Sequence, residues 1–229
     1  MYRTLAAVLL CALAIALPAS ARDVPGDLTT QLDAQLQVNR EHYGIAGQAV
    51  LVAHNGKVLY QGTSGEREPA THAPATVDSI FAAQSVAKLL TSTLVMQLVD
   101  QGKVDLDAPA SRYVPALPIA WQEIRLRDFL NHSSGIAEYY ERKGEHWVSK
   151  GYNGLAPDLA AALKVAGSAP MQFVPGSRVQ YTQTNYLVLT ALLETHYGKP
   201  YPAIARERIL QPLKMRSTSW GTASVPAQR

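Results

Sequence analysis

Apolar residues recur at helical spacing between Leu28 and Glu41, at Leu28, Leu32 and Leu36, with Asp27 placed to cap the start and Gly44 to stop it. The pattern then changes. Gln48–His54 and Lys57–Thr63 read as two strands joined by Asn55-Gly56, a pair favoured in tight hairpins because both turn positions need positive φ. Ser64–Ser79 is polar, contains Pro69 and Pro74, and reads as an irregular connection. Ser85–Gly102 predicts a second helix that is apolar on most of its circumference, through Leu89, Leu90, Leu94, Val95, Leu98 and Val99. Such a helix is expected to be a buried central element. Further helical patterns cover Leu126–Asn131, Ala156–Val165, Thr184–Tyr197 and Pro202–Leu210, with a turn at Pro175-Gly176. Two strands followed by almost continuous helix and loop need sheet partners, because two strands alone are marginal.

The amino terminus follows a different logic. Arg3 supplies a positive charge, Leu5–Leu17 is an apolar run, Pro18 breaks it, and Ala19-Ser20-Ala21 presents the small-x-small pattern of a signal-peptidase site. The run is shorter than the roughly 20 residues a membrane span requires. A cleaved leader at residues 1–21 and a single domain at 22–229 are therefore expected, with the mature protein exported to the bacterial periplasm and not anchored in the membrane. Cys11, the one cysteine of the chain, lies inside that leader, so the mature chain has no thiol for a disulfide, a nucleophile or a metal site. Of the 229 residues 47% are hydrophobic and 17% charged, a globular balance, and a net charge of +3 spread along the chain gives no basic cluster for nucleic acid. The histidines show no metal-binding spacing, and neither a P-loop nor G-x-G-x-x-G occurs, so no metal or organic cofactor is indicated. G-x-S-x-G is absent as well.

The chemistry concentrates at Ser85-Val86-Ala87-Lys88, the one S-x-x-K in the chain. Residues three apart on a helix share a face, so the lysine amine reaches the serine hydroxyl. A serine at a helix start also sits in the positive end of the helix dipole. A lysine in a low-dielectric pocket can act as a base near neutral pH.

The segment Phe81–Lys88 followed by Gly102-Lys-Val-Asp-Leu-Asp107 resembles the active-site helix of the serine β-lactamase-related family, which includes class C β-lactamases, D-alanyl-D-alanine peptidases and related esterases. Leu126–Ile136, Phe173–Leu189 and Gln211–Met215 resemble further segments of that family, in family order. The resemblance implies a β-lactamase/transpeptidase-type α/β sandwich with an all-helical region. It also implies Ser85 as nucleophile, Lys88 as its base and Tyr181 as a proton relay in a Y-x-N box. Gln183 stands in that box where asparagine is usual, and is expected to bind the substrate carbonyl from one methylene further out. His132 is read as structural. The family's third box, K-T-G or H-x-G on a late strand, does not occur after Met215. The H-x-G triplets at His42, His54 and His196 read as helix ends and a hairpin turn. The C-terminal sheet strands are thus expected to be missing, leaving an exposed sheet edge and apolar surface. The expected function is hydrolysis of a β-lactam, a peptidoglycan-derived peptide or an ester through an acyl-enzyme. The alternative is an impaired remnant or a non-catalytic cell-wall-binding protein, since losing one oxyanion donor costs about a hundredfold or more in rate.

Overall fold

The computed structural model describes residues 26–220, so the expected leader lies outside the described residues. The chain divides into two compact units, with the boundary after Ser79.

The first unit opens with helix α1 (Gly26–Tyr43), whose first turn includes Asp27, so the helix starts before the expected position. Strands β1 (Gly47–His54), β2 (Lys57–Glu68) and β3 (Ala73–Pro74) follow and form an antiparallel sheet in that order. Asn55 and Gly56 have φ of 49° and 74°, the conformation their hairpin turn demands. The stretch after Thr63 departs from expectation: β2 continues to Glu68 and pairs with β3, so Ser64–Ser79 is not wholly irregular. Its polar side chains hide the reason, which is backbone proximity. Gly65 pairs with Gly47 at φ +91°, and a Cβ on either glycine would collide with a neighbouring carbonyl. α1 packs on this sheet through buried Leu36 and a hydrogen bond from the Tyr60 hydroxyl to Asp33, 2.6 Å long.

The second unit is built mainly from helices α2 (Lys88–Asp100), α3 (Leu126–Leu130), α4 (Leu159–Gly167), α5 (Gln183–Tyr197) and α6 (Tyr201–Ala205), the last continuing into a π-helical turn at Arg206–Leu210. It is not all-helical: β4 (Glu141–Lys143) and β5 (His146–Val148) form a hairpin that the sequence pattern did not signal. Leu94, Val95 and Leu98 of α2, Leu126 and Phe129 of α3, and Val188, Leu189 and Leu192 of α5 make one core, closed by Trp121 and Ile204. α2 is buried along this face only; Leu89 and Met96 are exposed, so its apolar circumference is not fully covered. Asp158 caps α4 by accepting from the Ala161 N–H, which delays the helix beyond the expected start at Ala156. Thr182 caps α5 in the same way, and Gly198 closes it with φ 62°.

Gly135 connects the turn after α3 to the segment around Phe173. Its φ is +76°, the Gln172 N–H donates to its carbonyl at 2.7 Å, and a Cβ there would strike the Phe173 carbonyl. Gly144, at the tip of the β4–β5 hairpin, also has positive φ but open space around it. Gly135→Ala should therefore lower stability by on the order of 2 kcal/mol, and Gly144→Ala by clearly less, read as denaturation midpoints. Equal midpoints for the two variants would contradict the close approach at Gly135.

Candidate active site

Ser85, Lys88, Tyr181 and Gln183 meet in the second unit. Ser85 does not open an α-helix. It lies in a 3₁₀ turn, Gln84–Ala87, and α2 begins only at Lys88. That correction strengthens the spacing argument, because a 3₁₀ turn has three residues per turn and eclipses positions i and i+3. Lys88 Nζ accordingly donates to Ser85 Oγ at 3.2 Å. Gln84, just before the serine, is held at φ 47°, an uncommon conformation for a non-glycine residue and the kind of local strain that accumulates at functional sites.

Tyr181 comes from the extended residues before α5 and places its hydroxyl 2.7 Å from Ser85 Oγ. Lys88 Nζ lies 5.0 Å from the centre of its ring and 5.5 Å from that of Tyr186, within cation–π range of both. Gln183, the first residue of α5, accepts a hydrogen bond from Lys88 through its side-chain oxygen. The extra methylene relative to asparagine thus spans to the lysine. For the Tyr181 phenol, burial acts upward, but hydrogen bonds from Lys88 and Ser85 and the lysine charge together outweigh it, holding the group below its ordinary value.

Three residues singled out less strongly by the sequence, or not at all, complete the arrangement. Glu138 accepts from the Gln183 N–H at 2.6 Å and from the Thr184 hydroxyl at 3.0 Å, satisfying otherwise unpaired donors at the start of α5. A carboxylate there is also favoured by the helix dipole. His132 packs its ring against Tyr181, centroids 4.5 Å apart, and against Tyr186 at 5.2 Å. Its Nδ1 accepts from the Thr182 N–H at 3.4 Å and contacts Asn185 Nδ2 at 3.1 Å. Burial, and then the Lys88 charge, push the imidazole below its usual range, so it stays neutral at neutral pH and serves as an acceptor and a packing wall. Tyr140 sets its hydroxyl against the Gln183 carboxamide, and burial together with the Glu138 charge pushes that phenol upward. The capping signal at Thr182 marks the start of α5, but nothing local marks Glu138 as its second acceptor. Among the described residues no cluster of three or more His, Cys, Asp or Glu side chains is arranged to hold a metal ion.

These groups can lend a serine oxygen a proton acceptor and an adjacent positive charge, the requirements of nucleophilic acyl chemistry. Over 209 residues the chain is 29% identical to Esterase EstB of Burkholderia gladioli, covering 86% of this chain and 52% of that protein. It is 30% identical over 183 residues to Penicillin-binding protein 4 of Amycolatopsis lactamdurans, covering 78% of this chain and 46% of the relative. The chain therefore spans about half the length of the curated relatives it matches. Among solved structures, D-amino acid amidase from Ochrobactrum anthropi superposes with a TM-score of 0.71 at 25% identity, over 83% of this chain and 52% of that one. The Beta-lactamase family model matches residues 30–229, and the chain belongs to that family, whose members similar to it are serine hydrolases of the β-lactamase and penicillin-binding-protein fold.

Proposed function

We propose that this protein hydrolyses an ester or amide carbonyl, β-lactams included, through an acyl-enzyme on Ser85. The observation that carries the proposal is the contact set at the serine: Tyr181 oxygen at 2.7 Å and Lys88 nitrogen at 3.2 Å from one exposed hydroxyl. With Lys88 as the ammonium, Tyr181 in its phenolate form takes the Ser85 proton as Oγ bonds to the substrate carbon. Collapse of the tetrahedral adduct breaks the bond to the leaving group, which receives that proton from Tyr181. Water then attacks the acyl-serine ester, again giving its proton to Tyr181. The acid departs and the proton returns to Ser85 Oγ.

Gln183 holds Lys88, and Glu138 holds Gln183. The first turn of α5 thus acts as a bracket that keeps the cation beside the hydroxyl. Ester and amide carbonyls are also the common element in the names of the relatives: an esterase, a D-alanyl-D-alanine-carboxypeptidase/endopeptidase, a D-amino acid amidase and a teichoic acid D-alanine hydrolase. The leader-like pattern of residues 1–21 supports export as part of the same reading.

Intact-mass measurement after exposure to a fluorophosphonate and to benzylpenicillin tests the assignment. At least one adduct is expected, mapping to Ser85 and missing from Ser85→Ala; no adduct on the native chain, or one that survives in Ser85→Ala, would refute it. The bracket makes a second prediction. Glu138→Ala should slow labelling of Ser85 about tenfold, the cost expected for one lost hydrogen bond to a charged acceptor, and Glu138→Gln should restore most of the rate. Labelling at the native rate in Glu138→Ala would show that Glu138 only caps the helix.

A further inference from the structure

The segment that carries Glu138 goes on to Tyr139 and Tyr140 and then into the β4–β5 hairpin. Tyr139 packs against the hydrophobic core. Its ring meets Tyr140 edge-on with centroids 4.8 Å apart, and Tyr140 meets Trp147 of β5 edge-on at 5.1 Å. Three rings therefore run in sequence from the core to the surface, and the segment that carries the first two is tied to the start of α5 by Glu138, which accepts from the Gln183 N–H at 2.6 Å. The outermost is left open: Trp147 is 53% exposed, with the Arg142 guanidinium 6.0 Å from its ring. Strands of three residues are too short to be stable alone, so the hairpin leans on its flanks. The buried Ser149 supplies one such anchor: its N–H donates to the Gly154 carbonyl at 2.8 Å and its hydroxyl accepts from the Ala156 N–H at 3.0 Å.

An anchored, half-open indole packed on the segment that reaches Gln183 offers a preformed aromatic surface with little conformational entropy to lose. We infer that Tyr140 and Trp147 form a subsite for an aromatic ring on the acyl group of the substrate, an inference that rests on the hydrolase assignment above. Tyr181 must face the leaving group to protonate it. The flank formed by Gln183 and Tyr140 is then the one that receives the acyl side. A ring placed against Trp147 gains edge-to-face or offset-stacked contact and covers indole surface that otherwise faces water.

Binding to the Ser85→Ala chain tests the subsite without requiring turnover. The probes are phenylacetylglycine methyl ester and acetylglycine methyl ester, followed through the indole N–H resonances of the three tryptophans. The phenylacetyl ester should shift the Trp147 signal and leave Trp121 and Trp220 in place, half-saturating at a concentration about tenfold lower than the acetyl ester. Trp147→Ala, and separately Tyr140→Leu, should remove that advantage. Equal half-saturation by the two esters, or a response at Trp121 or Trp220 in place of Trp147, would overturn the subsite. Fluorophosphonate labelling of the native chain separates the two ideas. Labelling at Ser85 with no phenylacetyl preference keeps the hydrolase and removes the subsite, whereas ring-dependent binding without labelling overturns the hydrolase assignment and, with it, the acyl role of the subsite.

Discussion

Among the described residues, no carboxylate lies in ion-pair contact with Lys88. Its ammonium is instead surrounded by neutral dipoles and π-faces: the Ser85 hydroxyl, the Gln183 carboxamide and the rings of Tyr181 and Tyr186. A cation satisfied in this way retains most of its attraction for new negative charge nearby. The groups positioned to acquire that charge are the two oxygens beside it, on Tyr181 and Ser85. A carboxylate in the same place would quench the field; a carboxamide orients the lysine and leaves the field available.

Packing of α2 on α5 keeps the ammonium there. Lys88 lies on the same face of α2 as Thr91, Val95 and Leu98, all buried, so the lysine is carried into place by the core. Two side-chain hydrogen bonds fix the rotation of that helix: Thr91 to Tyr201 at 2.7 Å and Ser92 to Tyr186 at 2.9 Å. On the opposing side the first turn of α5 is capped twice, by the adjacent Thr182 and by Glu138 from the segment between α3 and β4. His132 then fills the space behind Tyr181 and ties to Asn185, so the phenol is backed by a ring that stays neutral. The groups of the candidate site are thus placed by elements whose own stability comes from the core, which is how a constellation is held to within fractions of an ångström.

What the sequence made legible depended on how locally each feature is determined. Ser85 and Lys88 were found because one turn of helix relates them, and Asn55-Gly56 because a tight turn depends on its own residues. Tyr181 and Gln183 came from family resemblance, as their partners lie more than ninety positions away. Glu138 escaped because its acceptor role depends on a helix start 45 residues downstream. The β4–β5 hairpin escaped because Glu-Arg-Lys and His-Trp-Val are too short to show alternation, and the continuation of β2 because its pairing rests on glycine backbones. At Ser85 the kind of turn was not legible either, since capping statistics do not separate a 3₁₀ start from an α start.

The pH dependence of Ser85 labelling reaches the centre of this chemistry most directly. If Tyr181 accepts the serine proton, labelling by a fluorophosphonate accelerates as pH rises through the Tyr181 ionisation. Hydrogen bonding and the Lys88 charge place that step below the ordinary tyrosine value of about 10. The native chain should therefore show a rising limb below that value. In Tyr181→Phe the limb should vanish, with a rate lower by about a hundredfold. An unchanged limb in Tyr181→Phe would contradict the assignment, because the proton from Ser85 would then be passing to another group.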